Sequence, residues 1–541
     1  MQAMHSAYTL PLEQRLLPPI LAAQAIQERD RPYLTFEKRT WTFGETHETV
    51  RAVARGLRSL GVQKRESVAL LLHNSADFVF SWYACTLVGA VFVPVNPSYT
   101  GYLLEYVLGD AGVRGLIVQR DLAPALATLS AEALARLQWV AVVGGIDGLQ
   151  LPPGPGRYLD YATLPQATGP DPEVSTDFRD LQSIMYTSGT TGPSKGVMLP
   201  NAHFFGSSMT FLRALGLNRD DILFTPLPLF HGLASRLGVL PALMVGAHAV
   251  VVDRFSASKY WQQATECGAS VGHCMFTIPP ILMAQAPGPY DRAHKLRAMY
   301  NAHADLEFEK RFNVRIVEAY GATETGLTIY THWPERKVGS CGKAHEDWEI
   351  ELVDDNDLPV PDGEAGQLVA RPKRPWIMME GYINKPAETL RTARNLWYHS
   401  GDYARRDADG YIFFTGRLKE HIRRRGENLS SYEIERVVTS HPDVADCAAV
   451  PYPSPSGEDD IRCVIVCKQG TSLTAPALMD WLQPNMPPAM LPRYIEFVAA
   501  LPYTPSQKVE KYRLIEDGLG VTAWDKEAAG YKTARELAGK K

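Results

Sequence analysis

The chain has 541 residues, with 55 Lys and Arg against 60 Asp and Glu (net charge −5), 45% apolar residues and 21% charged ones. That length exceeds what one hydrophobic core holds and predicts about three or four domain-sized units. The balance is that of ordinary globular proteins; it excludes collagen, coiled coil and disorder, and its slight acidity offers no general field for nucleic acid or anionic lipid.

From about residue 40 short apolar runs alternate with longer amphipathic ones: SVALLLHN, DFVFSWYACTLVGA, VFVPVN, YLLEYVLGDAG and GLIVQ. Strands separated by helical segments predict right-handed crossovers and a mostly parallel sheet covered on both faces, an α/β architecture. Residues 145–178 are rich in Pro and Gly and predict a surface connection. A second α/β stretch follows, from LQSIMYTSGTTG to VEAYGATETG. Between 338 and 415 the texture becomes short alternating strands with turn signals, which predicts an antiparallel sheet. From Arg417 onward a smaller mixed α+β unit begins, and the tail from Ala523 reads as a short charged helix.

Seven Cys, odd in number and irregular in spacing, fit a reducing compartment. Cys463 and Cys467 flank β-branched residues and read as a buried strand rather than a metal pair. No charged leader precedes an apolar run at the N-terminus, and no apolar stretch reaches the roughly 18 residues needed to span a bilayer. The expectation is a soluble, cytoplasmic protein without a membrane span or nucleic-acid partner, its oligomeric state unknown.

The segment Tyr186–Val197, YTSGTTGPSKGV, concentrates hydroxyls, Gly and one Lys directly after the apolar run SIMY. A polyphosphate needs this mixture: Gly lets backbone N–H groups approach, hydroxyls donate to oxygens, and an ammonium offsets charge. Lys195 is followed by Gly196 and strand-like residues, so the loop is not a Walker A sequence.

This loop resembles the signature of adenylate-forming enzymes, the superfamily of acyl-CoA synthetases, luciferases and peptide-synthetase adenylation domains. The resemblance continues in order along almost the whole chain: Leu229–Gly232 (LFHG), Ala319–Thr325 (AYGATET), Ser400–Asp402 (SGD), Gly416–Lys419 (GRLK), Arg425–Asn428 leading into Tyr432–Glu435, and Leu501–Lys508 (LPYTPSQK). RRRGENLSSYEIE and TPSQKVEK are most similar to the branch of carnitine- and crotonobetaine-CoA ligases. The resemblance implies a large N-terminal domain of stacked α/β sheets over 1–416, with a small β-barrel-like subdomain over 338–415. It also implies a small mobile α+β lid over 417–541, and no internal repeat is visible.

The implied function is an ATP-dependent carboxylate–CoA ligase, forming an acyl-adenylate and pyrophosphate and then passing the acyl group to CoA, with Mg²⁺ as cofactor. An adenylating enzyme with a carrier thiol, an amine or a small anion as acceptor is the alternative. Both partners of the first step are anions, so the site must offset repulsion and align an in-line attack. The resemblance assigns catalysis to Lys508, Thr323, Glu324 and His231. ATP or AMP falls to Thr187, Ser188, Gly189, Thr190, Thr191, Lys195, Ala302, Tyr320, Gly321, Asp402 and Arg417. Glu324 and Thr187 are the Mg²⁺ ligands, and Lys419 is the hinge. Phe230, Thr277, Asn301 and His303 line the acyl pocket, while Arg424, Arg425 and Gly426 meet CoA.

Other readings of single residues stay open. Tyr320 and His231 suit a core as well as a site, Asp402 suits a turn, and the Arg423–Arg425 run suits a solvated face. Gln507 stands where relatives place Gly before the Lys, which leaves Lys511 as a second candidate. The segment Tyr300–Glu307 departs from the family's Gly-rich run. His303 and Asp305 would put polar groups by the acyl pocket and suit a polar or cationic acid, unless Asp305 caps a helix.

Overall fold

A computed structural model describes residues 11–172, 176–187, 194–274, 278–301, 304–331, 336–354, 356–417, 422–424, 427–429, 431–454, 457–502, 509 and 511–533. The chain divides into two compact units, Met1–Pro97 with Val107–Tyr186 and Gly196–Leu418, and Ser98–Tyr106 with Thr187–Lys195 and Lys419–Lys541. Among the described residues no helix is long and apolar enough to cross a membrane.

Two large sheets organise the first unit. One has eight strands in the order Gly381–Tyr382, Lys195–Pro200, Leu181–Thr187, Val91–Pro94, Ser67–Leu71, Val113–Gln119, Trp139–Val143 and Tyr158–Asp160. From Leu181–Thr187 to Tyr158–Asp160 neighbouring strands run parallel. The residues of Ser67–Leu71 and Val91–Pro94 are all buried, as parallel strands covered on both faces require. The second sheet has nine strands, with Ala298–Asn301 and Arg315–Ala322 parallel near one end and Gly326–Tyr330 turning back antiparallel. A four-stranded antiparallel sheet follows, built from Trp348–Val353, Ala365–Pro372, Tyr398–Arg406 and Ile412–Arg417 around Ile329, Cys341, Leu352, Leu368, Ala404 and Ile412. The α/β halves and the antiparallel texture of 338–415 thus take the form expected of them.

The second unit has its own core around Ile434, Val438, Ala449, Cys463, Ile465 and Leu478. Its sheet orders Val444–Pro453, Asp459–Cys467, Tyr494–Phe497 and Trp524–Asp525, so Cys463 and Cys467 do lie on a strand. The tail differs from its sequence reading. Trp524–Asp525 adds a short antiparallel strand, and the Arg493 guanidinium pairs with Asp525 at 3.3 Å; residues 534–541 lie outside the described ones.

Residues 145–178 also depart from a plain surface connection. Tyr158–Asp160 is the edge strand of the eight-stranded sheet, and the following 3₁₀ turn buries Tyr161 and Leu164. The turn docks on the helix Phe43–Ser59, whose start is closed by a capping box: the Glu45 N–H donates to Thr42 Oγ1 at 3.1 Å, and the Thr42 N–H donates to Glu45 Oε2 at 2.8 Å. Two apolar side chains and a glycine contact override the Pro/Gly composition. A Cβ on Gly56 would stand 2.5 Å from the Leu164 carbonyl oxygen, so only glycine admits this approach. Gly56→Ala should push the turn off the helix at a cost of about 1–3 kcal/mol. Protease cleavage within 145–178 should then accelerate about tenfold or more, and unchanged cleavage would refute the docking.

Candidate functional site

The first unit brings four of the expected residues to one turn. Arg315–Ala322 ends in Tyr320 and Gly321, Thr323 and Glu324 form the turn, and the chain returns in Gly326–Tyr330. The register shifts between Tyr320 and Gly321. A Cβ on Gly321 would lie 2.1 Å from the Gly326 carbonyl oxygen, so the strands close here only without a side chain. Within the turn the Ala322 N–H donates to Thr325 Oγ1 at 3.3 Å.

Glu324 is buried, and its carboxylate is aimed by a residue that sequence reasoning missed. Tyr382 donates its hydroxyl to Glu324 Oε1 at 2.8 Å, and the Met379 N–H donates to the Glu324 carbonyl at 2.8 Å. Tyr382 in turn pairs with Val197 in the strand that begins at Lys195. One buried carboxylate with an oxygen left for an ion fits Mg²⁺, which takes one or two protein oxygens and fills its octahedron from phosphates and water. Among the described residues no cluster of three or more His, Cys, Asp or Glu forms an all-protein cage.

Tyr320 and Asp402, expected on the adenine and the ribose, form one pair: the Tyr320 hydroxyl donates to Asp402 Oδ2 at 2.7 Å. The Tyr320 ring packs half-buried against the core of the four-stranded sheet. The Asp402 N–H donates to Ser400 Oγ at 3.1 Å and closes the SGD bend. Backbone register sets Arg417 opposite Asp402 on the adjacent strand. Tyr320 thus packs and Asp402 closes a bend, the alternatives that the sequence left open for them.

The aromatic-His segment is held by Asn74. Its Oδ1 accepts from the Leu229 N–H at 2.7 Å, while its Nδ2 donates to the Leu227 and Val252 carbonyls at 2.9 Å. Phe230 is half-buried against the main core. His231 reaches solvent and caps the following helical turn through Nδ1, which accepts from the Leu233 N–H at 3.4 Å. Protein packed around it and then the Arg236 guanidinium lower its pKa, so the imidazole is neutral near pH 7. Asn301 is buried at the end of Ala298–Asn301, opposite Glu318. Asp305 accepts from the Phe308 N–H at 3.0 Å as the cap of Leu306–Phe312, the alternative that the sequence left open for it.

In the second unit Thr187 ends one strand and Lys195 starts the next, flanking the phosphate loop. Ser194 donates its backbone N–H to Glu433 Oε1 at 3.1 Å and its hydroxyl to the same oxygen; Tyr106 donates to the Ser194 carbonyl at 2.9 Å. Arg424 turns toward Asp460 at 3.5 Å and the Ala489 carbonyl at 3.3 Å, which anchors the hairpin Ile422–Arg424 with Glu427–Leu429. Lys511 pairs with Glu435 at 2.6 Å, so the second candidate for the catalytic lysine is bound into its own unit. Ser188, Gly189, Thr190, Thr191, Thr277, Ala302, His303, Lys419, Arg425, Gly426 and Lys508 lie outside the described residues.

Residues 21–383 match the AMP-binding enzyme family, and residues 433–508 match the AMP-binding enzyme C-terminal domain. The chain belongs to the AMP-binding enzyme family. It is 29% identical over 503 residues to a crotonobetaine/carnitine–CoA ligase of Salmonella paratyphi B, covering 90% of this chain and 96% of that protein. It is similar to the solved structure of an anthranilate CoA ligase in complex with anthranoyl-AMP, with 26% identity and a TM-score of 0.70 over 94% of this chain and 98% of that one. An o-succinylbenzoate CoA synthetase from Bacillus subtilis shares the fold at 22% identity, with a TM-score of 0.79 over 94% and 99% of the two chains. By family the chain is an adenylate-forming acid–CoA ligase, with ATP, CoA and Mg²⁺ as the cosubstrates and ion of that chemistry.

Glu318, also missed from sequence, lies on the strand beneath Asn301 with no exposure. Its Oε1 accepts from the Ala304 N–H at 3.0 Å, and burial raises its pKa from 4.5 to about 7. The raised value means the folded state holds the proton more tightly. The resulting stability is complete below pH 4.5 and is lost as the pH rises through about 7, by at most about 3 kcal/mol. Glu318→Gln should equal the wild type in urea midpoint at pH 5 and exceed it at pH 8. Parallel pH profiles would contradict the assignment.

Proposed function

We propose that the chain activates a carboxylic acid as its adenylate and transfers the acyl group to CoA, through residues placed as follows. Thr323 donates to the α-phosphate and Glu324, with Thr187, holds Mg²⁺, its carboxylate oriented by Tyr382. Held there, Mg²⁺ would offset the phosphate charge. Tyr320 and Asp402 act as one unit, the ring against adenine and the carboxylate accepting from the ribose hydroxyls, with Arg417 on the neighbouring strand reaching the same sugar.

Lys195 and the hydroxyls of Thr187, Ser188, Thr190 and Thr191 cradle the polyphosphate, with Gly189 admitting the backbone, while Ala302 and Gly321 pack beside the adenine. Phe230, Thr277, Asn301 and His303 border the acid, and neutral His231 gates its pocket rather than acting as a base. Lys508, brought by a lid of 417–541 that swings at Lys419 against the body 1–416, bridges the carboxylate and α-phosphate. Arg425 and Gly426 take CoA, with Arg424 holding their hairpin. The compartment is the cytoplasm.

The observation that carries this reading is the turn at Thr323–Glu324, where Tyr382 aims Glu324 beside the Tyr320–Asp402 pair. Lys508→Ala should reduce acid-dependent ATP–pyrophosphate exchange at least about a thousandfold, yet spare CoA transfer from a presynthesised acyl-adenylate. Unchanged exchange would remove Lys508 from the first step. Tyr382→Phe should raise the half-saturating MgATP about tenfold, since a charged hydrogen bond is worth about 1.5–3 kcal/mol, while CoA saturation stays constant. Pyrophosphate release across an acid panel decides the acceptor: release indifferent to CoA would point to another nucleophile.

A further inference from the structure

Arg236 stands in the π-turn Ser235–Val239 that follows the aromatic-His segment and is 7% exposed. π-Turns cluster at functional positions because they re-aim one side chain out of helical register. The guanidinium lies against Gly232, where a Cβ would come within 2.4 Å of Nη2 and 2.6 Å of Nε. Its acceptors are weak ones: Nη1 is 3.3 Å from His203 Nδ1 and 3.5 Å from the Thr323 carbonyl oxygen. The Phe204 ring sits 5.7 Å away. Among the described residues, Nε is buried without a hydrogen-bond partner.

Burial lowers the pKa of this group to about 10, offset first by attraction from Glu324, so it is a cation near neutral pH. Its neighbour His203 is fully buried, and burial followed by Arg236 holds it well below the ordinary range, hence neutral. A guanidinium has five donors in a planar fork. Leaving Nε unmet out of water is costly, and a bidentate carboxylate removes that cost.

We propose that Arg236 is a specificity residue of the acid pocket and that the substrate is a short dicarboxylic acid, one carboxylate adenylated and the other taken by the Arg236 Nε and Nη donors. This rests on the ligase reading above. It places the cation among Phe204, His231, Tyr300 and the Thr323–Glu324 turn, beside the segment that carries Phe230 and His231. A quaternary-ammonium acid of the crotonobetaine or carnitine kind would instead bring a second cation beside a buried one. The neutral pocket that accepts a monocarboxylic acid would leave Nε unmet, and sites built to satisfy a buried polar group reject analogues lacking it by large factors.

The test is ATP–pyrophosphate exchange by the full chain with succinate, glutarate and adipate, the monocarboxylates of matched length, and 4-(trimethylammonio)butanoate. Expected is a kcat/KM at least about a hundredfold higher for the best dicarboxylate than for its monocarboxylate. Arg236→Gln should abolish that ratio through the KM for the acid while the KM for MgATP holds, and Arg236→Lys should retain part of it. A wild-type preference for monocarboxylates or the ammonium acid would overturn the proposal. So would an Arg236→Gln variant that slows all acids alike and raises the KM for MgATP, which would mark a residue that merely holds the Glu324 turn. Calorimetric binding of the same dicarboxylates separates the two readings. Binding lost in Arg236→Gln without any exchange would uphold Arg236 while the ligase reading fell; neither binding nor exchange would overturn both.

Discussion

One hydrogen bond joins the two large sheets at the place where chemistry is expected. Tyr382 belongs by its backbone to the eight-stranded sheet and by its hydroxyl to Glu324, on the turn that ends the parallel part of the nine-stranded sheet. The Met379 N–H adds a backbone bond to the same residue. A buried carboxylate tolerates no vague placement, since its oxygens must each find a donor or an ion. Fixing Glu324 therefore fixes the relation between the strand carrying Val197 and the turn carrying Thr323. Gly321 and Gly326 complete the arrangement, the first by removing a clash of 2.1 Å and the second by turning with φ +70.

Around this turn the molecule gathers an unusual density of buried ionisable groups. Arg236, His203, Glu318 and Glu324 are all buried, and among the described residues Arg236 Nε and Glu318 Oε2 find no hydrogen-bond partner. Two of them are neutralised by burial, His203 by losing a proton and Glu318 by keeping one near pH 7. Arg236 keeps its positive charge, with Glu324 the first group to favour it. Such a pocket is polarised before any ligand enters, which suits a reaction between two anions better than a neutral cavity would.

Much of the architecture is legible in the chain. SVALLLHN and VFVPVN read as buried parallel strands because both faces are apolar, and the alternation across 338–415 reads as antiparallel pairing. The stretch 145–178 reads correctly as mostly surface, but composition reports average exposure and misses Tyr161 and Leu164, buried by one close approach to Gly56. Asp305 shows the same limit in reverse: a residue that composition allows in a pocket is settled as a helix cap by a single hydrogen bond to the Phe308 N–H. Arg236 does leave a trace, a lone charge inside the apolar run GLASRLGVL, and Glu318 leaves another inside RIVEAYG.

The sequence by itself determined the residue types of the site and their order, because phosphate, ribose and Mg²⁺ each demand particular donors and acceptors at short local spacing. It determined the alternation that makes the fold α/β. Tertiary structure alone decided which of those residues act on one another. Tyr320 with Asp402, Tyr382 with Glu324, and Arg236 with His203 and Thr323 are each separated by 33 to 87 positions in the chain. Contacts of that kind arise from strand register and helix packing, and no local pattern encodes them. It also decided charge state, since the proton affinities of Glu318 and His203 follow from burial, which is a property of the packed molecule.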